Sequence, residues 1–290
     1  LFRIKNATTI KFWGVRGSIP TPGPSTVRYG GNTSCVEVRC DDEIIILDAG
    51  TGLRLLGQSL LEEYKGQSLN LTLLITHTHW DHIQGLPFFG PIYDARCRLK
   101  ILGCEGARLG LVTALTGQME SPYFPVHFSN LPSNIEIEEV KNFNLDIGPV
   151  CVRAQRANHP GLCVGYRLFT PDGLIVYFPD TEPRPGGMDR DIVEFIRDAD
   201  VLIHDSQYDA EEYQRHKGWG HGCVDDTVAL AIAAGVKKLC LFHHDPNHDD
   251  DQIDAFLKHA RQIVRDQKSN LQVEAAYEGL AIPLSQTVTK

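Results

Sequence analysis

The residues Ile75-Thr76-His77-Thr78-His79-Trp80-Asp81-His82 crowd three imidazoles and a carboxylate into six positions. They follow an apolar run, Leu71 to Ile75, that reads as a buried strand. In an extended stretch His77 and His79 point to the same side, because side chains alternate with period two. Where the chain turns, Asp81 and His82 reach a neighbouring position. Neutral imidazole nitrogens and carboxylate oxygens are ligands for zinc, manganese or iron, and this spacing suits two adjacent ions better than one. A dinuclear site needs further ligands, and three more stretches offer them at strand ends. His159 follows Val150 to Ala154, Asp180 follows Leu174 to Phe178, and His243 or His244 follows Leu239 to Phe242. Taken singly each is weak; together they describe one site assembled from several loops.

The elements that must position these residues are short and frequent. Thr8 to Trp13, Ser34 to Arg39, Glu43 to Leu47, Leu99 to Leu102, Ile135 to Val140, Val164 to Phe169 and Val201 to Ile203 read as further strands. The pair 34–39 and 43–47 is joined as a hairpin through Cys40-Asp41-Asp42. Helical spacing of apolar residues marks Leu53 to Tyr64, Asp189 to Arg197, Asp225 to Ala234 and Asp251 to Gln267. In the last of these Ile253, Phe256, Leu257, Ala260, Ile263 and Val264 form one stripe. Strands mixed with a few helices predict a layered α/β (α+β) domain. With no linker or composition break, residues 1–290 are expected to form one domain.

HTHWDH matches the HxHxDH signature of the metallo-β-lactamase-fold hydrolases, and the chain resembles that superfamily over nearly its whole length. The resemblance implies a four-layer αββα sandwich with two metals at one edge of the sheets. It implies that His77, His79 and His159 hold one ion, that Asp81, His82 and His243 hold the other, and that Asp180 bridges them. His243 is preferred to His244 because it directly follows the strand. Asp48, in Leu47-Asp48-Ala49-Gly50, matches the superfamily's first motif and is expected to orient a ligand. Redox diiron proteins of this fold place Glu at the second position of the signature; His79 stands there, which favours hydrolysis.

Within the superfamily, Gly218-Trp219-Gly220-His221-Gly222 ahead of the helix at Asp225 resembles the ribonuclease Z branch, which includes phosphoribosyl cyclic phosphodiesterases and some cyclic-nucleotide phosphodiesterases. The resemblance makes His221 the catalytic candidate at the scissile phosphate and gives Asp205, in His204-Asp205, the part of the acid that steadies it. Asp81 has a secondary claim as proton acceptor from the attacking water. Gly14-Val15-Arg16-Gly17-Ser18 and Gly30-Gly31-Asn32-Thr33-Ser34 resemble segments near the metal edge; Arg16 reads equally well as a phosphate contact and as an exposed loop residue. The expected activity is hydrolysis of a small cyclic or linear phosphodiester by hydroxide activated between two divalent ions, with zinc preferred and manganese or iron as alternatives. The competing activities are thioester or lactone hydrolysis and RNA processing.

Composition bounds these readings. The chain has 290 residues, is 42% hydrophobic and 22% charged, and carries a formal charge of −9. That excludes a disordered tail, a collagen and a coiled coil. It also disfavours a broad nucleic-acid face, so a small molecule, not polymeric RNA or DNA, is the expected partner. No apolar run approaches the roughly 20 residues of a membrane span, and no secretory pattern opens the chain. The first residue is Leu1 rather than Met, which leaves an upstream segment open. Eight scattered cysteines without a CxxC read as buried thiols in a reducing, cytoplasmic setting. A homodimer is expected from the family alone. Met119, Tyr123, Phe124, His127 and Phe128 are open between pocket, dimer contact and core.

Overall fold

The computed structural model describes residues 7–104, 110–141 and 144–284. Its strands are β1 (Thr9–Gly14), β2 (Cys35–Cys40), β3 (Glu43–Leu47), β4 (Leu69–Ile75), β5 (Cys97–Cys104), β6 (Asn134–Val140) and β7 (Asn144–Ile147), followed by β8 (Val150–Arg156), β9 (Val164–Thr170), β10 (Gly173–Phe178), β11 (Val201–Asp205), β12 (Lys238–Phe242), β13 (Gln272–Ala275) and β14 (Ala281–Pro283). Its helices are α1 (Leu53–Glu63), α2 (Trp80–Ile83), α3 (Leu111–Gly117), α4 (Arg190–Ile196), α5 (Ala210–Arg215), α6 (Val224–Ala233) and α7 (Asp250–Asp266). One sheet runs β14-β1-β2-β3-β4-β5-β6 and the other β13-β12-β11-β10-β9-β8-β7.

Strand alternation builds the layers. In β3, Ile45 and Leu47 join a core between the sheets, while Ile44 and Ile46 join a second core under α1 and α3. In β12, Cys240 and Phe242 face the first core, and Leu239 and Leu241 face a third beneath α4, α6 and α7. Central strands apolar on both faces are what a sheet covered on both sides requires. The order is therefore helix, sheet, sheet, helix, as expected.

The parallel strands decide where the site lies. β3, β4 and β5 run parallel, as do β10, β11, β12 and β13. Residues just past their C-terminal ends therefore gather along one edge, where open α/β sheets bind ligands. The hairpin between β2 and β3 closes with Cys40 paired to Glu43 and Asp41 at φ 52°, a left-handed turn position. α7 starts at Asp249, whose carboxylate accepts from the Gln252 N–H at 2.9 Å. Its buried apolar residues are those of the expected stripe, except that Ile263 is only partly covered, and Asp250 in the first turn is buried as well.

The aromatic segment left open divides. Met119 is buried and Phe128 packs against the core below α1 and α3. Tyr123 is exposed, Phe124 meets Phe88 edge-on at 5.5 Å, and His127 pairs with Glu120 at 3.3 Å on the surface. No helix among the described residues is long and apolar enough to cross a membrane. None of the eight cysteines is in a disulfide.

Candidate metal centre

His77, His79, Asp81 and His82 lie between β4 and the first turn of α2, which His79 precedes as its N-cap residue. Asp180 follows β10, His159 lies between β8 and β9, and His243 follows β12. The chain brings all seven together. His159 Nε2 is 3.1 Å from His79 Nδ1, and the ligand atoms of His77, His79 and His159 form one group. Those of Asp81, His82 and His243 form a second, with His243 Nε2 3.1 Å and His82 Nε2 3.2 Å from Asp81 Oδ2. Asp180 stands between them. Its Oδ2 is 3.6 Å from His77 Nε2 and 4.0 Å from His159 Nε2, while its Oδ1 is 3.2 Å from His82 Nε2 and 3.5 Å from His243 Nε2.

Two features fit this donor set to divalent cations. First, the outer ring nitrogens are committed. His82 Nδ1 donates to Asp48 at 2.8 Å, His243 Nδ1 to Gln207 Oε1 at 2.9 Å and His159 Nδ1 to the Gly220 carbonyl at 2.9 Å. A donor on one nitrogen leaves the lone pair on the other, so each Nε2 turns a lone pair inward. Second, His77 Nε2 and Asp180 Oδ1 are buried without a hydrogen-bond partner. Convergent buried lone pairs are costly unless a cation satisfies them. Burial first, then neighbouring imidazole charge, pushes His77 well below its ordinary pKa, toward the neutral form a ligand needs. For His82 burial again opposes charge, but Asp180, Asp81 and Asp48 outweigh it and raise the imidazole, so without a cation a proton is favoured at Nε2, the position a divalent ion would take in its place.

Local backbone aims these groups. Asp48 and His243 adopt φ 61° and 60°, left-handed values uncommon for side chains with a Cβ. Such conformations persist where surrounding structure holds them. Asp48 is held by Thr76 N–H at 2.8 Å and Tyr177 OH at 2.9 Å, besides His82. A Cβ on Gly17 would lie 2.3 Å from the His243 ring, so only glycine allows that approach. His244 turns away and donates from Nε2 to the Ala276 carbonyl at 2.9 Å.

His221 borders the cluster. Its Nδ1 lies 2.9 Å from Asp205 Oδ2 and 3.9 Å from Asp180 Oδ2, and its ring stacks 4.7 Å from His243. Burial disfavours the charged ring, but the carboxylates of Asp205 and Asp180 outweigh it and push its pKa up to about 9. Asp205 is itself buried and fixed, accepting from Thr181 N at 3.1 Å and Gln207 N at 3.0 Å. His204 faces the other way, stacked on Phe178 at 5.9 Å. A cavity of about 440 Å³ opens over the site, lined by Ser18, Thr78, His79, Trp80, Asp81, Asp180 and His221.

Both readings of Arg16 are overturned. It is fully buried, donating to the carbonyls of Gly30 at 2.8 Å, Asp245 at 3.1 Å and His248 at 2.6 Å. It ties the two glycine-containing segments to the loop after β12 and meets no substrate. Gln207 and Glu182 were not anticipated. Gln207 orients His243, and Glu182 accepts from Gly218 N at 2.8 Å and Gly220 N at 3.0 Å. Neither carries a local motif; only the tertiary fold reveals them.

The profile of the beta-lactamase superfamily domain matches residues 44–244, and the chain belongs to that family. It is an enzyme, a metal-dependent hydrolase of the metallo-β-lactamase fold. It is 26% identical over 293 aligned residues to a protein named Ribonuclease Z from Thermoplasma acidophilum, covering 84% of this chain and 88% of that one. Among solved structures it is similar to the metallo-beta-lactamase fold protein YhfI from Bacillus subtilis, with TM-score 0.70 and 18% identity over 96% of this chain and 99% of that one. It is also similar to a diphosphatase from the PhnP family, with TM-score 0.68 and 18% identity over 96% and 98%. At such identities the structural likeness is one of fold. The relative named Ribonuclease Z leans against the expectation that polymeric nucleic acid is not a partner.

Proposed function

We propose that this chain, as a single domain, hydrolyses phosphodiesters, with His77, His79 and His159 holding one divalent ion, Asp81, His82 and His243 a second, and Asp180 shared between them. The observation that carries the reading is His221, held by Asp205 at 2.9 Å beside the cluster. A thioester or lactone hydrolase has no use for a buried, carboxylate-braced imidazole at this place. Zinc suits the His-rich donor set best, with manganese and iron as alternatives. Bound there, two divalent ions would supply Lewis acidity and an activated water.

The protein's own groups do the rest. Asp205 fixes Nδ1 of His221, which leaves Nε2 for the substrate. As water adds to phosphorus and the P–O bond to the leaving group breaks, protonated His221 donates a proton to the departing oxygen. Asp81 is placed to accept a proton from the attacking water. The preferred substrate is a small cyclic or linear diester, since a chain of net charge −9 offers little general affinity for a phosphate backbone. RNA processing is the second reading, favoured by the relative named Ribonuclease Z. A reducing cytoplasmic setting and a homodimer are part of the same proposal.

The test is hydrolysis of bis(p-nitrophenyl) phosphate by protein stripped and reloaded with zinc or manganese. Metal-dependent turnover that collapses by about 10²–10⁴ in His221→Ala, with metal content retained, supports the reading. Full metal loading without diester turnover moves the assignment to thioesters and lactones. Micromolar binding of structured RNA with a steep salt slope selects the second reading.

A further inference from the structure

Large aromatic side chains are seldom left in water, because each can bury roughly 150–250 Å². The chain has three tryptophans. Trp13 is half-buried, with its indole N–H on Glu37 at 2.8 Å and the Lys11 ammonium over its ring. The other two are exposed, Trp80 at 79% and Trp219 at 62%. Both adjoin candidate site residues in the sequence. Trp80 stands between the ligands His79 and Asp81 and lines the cavity over the site with Asp180 and His221. Trp219 lies two residues before His221 on the loop bound by Glu182, with its ring edge-on to His216 at 4.9 Å. His216 in turn stacks on Tyr208 at 4.6 Å, so the second indole is propped by packed rings.

Resting on the phosphodiester reading, we propose that Trp80, exposed and lining the cavity with His221 and Asp180, is a specificity-determining residue that stacks the flat ring of a nucleobase carried by the diester. A sugar or alkyl phosphate would leave the Trp80 indole in water. A base offers it a π-face, and base–aromatic stacking contributes about 1–3 kcal/mol per base. Position supports the assignment to Trp80. It lines the same cavity as Asp180 and His221, so a ring lying on it belongs to a group carried close to the phosphate. The preferred substrate is therefore a nucleoside-bearing diester.

The experiment compares thymidine 5′-(p-nitrophenyl phosphate) with methyl p-nitrophenyl phosphate, which share a leaving group and differ in the base. The kcat/KM ratio between the two should fall about tenfold in Trp80→Ala and persist within about threefold in Trp80→Phe. Metal content is measured for each variant, so that a disturbed centre is recognised. Independently of turnover, thymidine 5′-monophosphate should quench indole fluorescence in the wild type, and the quenching should be lost in Trp80→Phe. An unchanged ratio together with unchanged quenching overturns the role of Trp80. Absence of turnover of either ester by the metal-loaded wild type refutes the phosphodiester reading instead, and the quenching then decides the stacking alone.

Discussion

Asp205 Oδ2 stands 2.9 Å from Nδ1 of His221, and the same carboxylate is pinned by the backbone N–H groups of Thr181 and Gln207. The bond fixes ring orientation and favours the imidazolium. Burial acts against that charge, yet His221 is pushed up to about 9, well above its ordinary value of 6.5. A raised histidine is charged below its pKa and loses its proton as pH rises through it. If His221 must donate a proton, activity is present at neutral pH and falls on the alkaline side. Asp205→Asn removes the charge that sustains the imidazolium, so the alkaline limb should move to lower pH. A pH–kcat profile at saturating metal checks this, and a limb that stays in place removes Asp205 from the role.

Glu182 has its own consequence for the same loop. Its carboxylate gathers Gly218 N and Gly220 N, and the Gly220 carbonyl holds Nδ1 of His159. One side chain therefore positions the segment that carries His221 and, through Gly220, orients a ligand. A Cβ on Gly220 would lie 2.1 Å from the His159 ring, so only glycine allows the loop to approach that imidazole so closely. Glu182→Ala leaves two N–H groups without their charged acceptor, a loss of about 1.5–3 kcal/mol for each such bond. We expect kcat to fall 10- to 100-fold with KM changed less, and faster amide exchange confined to residues 218–222. Wild-type kcat in Glu182→Ala would falsify the clamp.

The cluster His77 to His82, Asp180 and His243 were legible as candidates because each follows an apolar strand, a local signal, whereas His159 stands three residues past the polar end of β8 and was singled out by the pattern as a whole. Their supports were only partly so. Asp48 was found through its motif, but Gln207 and Glu182 act on loops 36 residues away in sequence, at distances that only strand order brings together. Arg16, set between Val15 and Gly17, looked like a loop residue, since burying a guanidinium requires carbonyls from distant segments that the chain does not announce. The choice of His243 over His244 rested on the strand register. The structure shows its physical basis, because the left-handed turn at His243 aims that ring inward while His244 is taken by Ala276. Helix α5 was not anticipated, as none of its residues is buried and so no apolar stripe marks it. Its start is set instead by the Asp209–Glu212 capping box.

The cysteines offer a check on the core. Cys35, Cys40, Cys97, Cys163, Cys223 and Cys240 are buried, and Cys104 and Cys151 are partly exposed. Burial pushes the thiols of Cys97, Cys223 and Cys240 up to about 12, so their thiolate forms are scarce at pH 8. In the native protein a thiol reagent such as DTNB should react promptly at two sites or fewer. The other six should appear only in denaturant. Prompt reaction at four or more would mean that the layers open far more readily than their packing implies.

Asp180 gives the sharpest test of the centre itself. Its two oxygens face different histidine groups, Oδ2 toward His77 and His159 and Oδ1 toward His82 and His243. Removing it takes a ligand atom from both groups, whereas removing any one histidine weakens a single group. Asp180→Ala should therefore lose most of both metals, while His159→Ala should retain about one per chain. His244→Ala, which deletes a ring bound to the Ala276 carbonyl, should keep both per folded chain. Elemental analysis after gel filtration, paired with circular dichroism to count folded protein, measures all three. Because bound ligand stabilises by mass action, chelation should lower the Tm of the wild type and leave that of Asp180→Ala nearly unchanged. Full occupancy in Asp180→Ala would remove it as the shared ligand and leave two independent three-residue groups in its place.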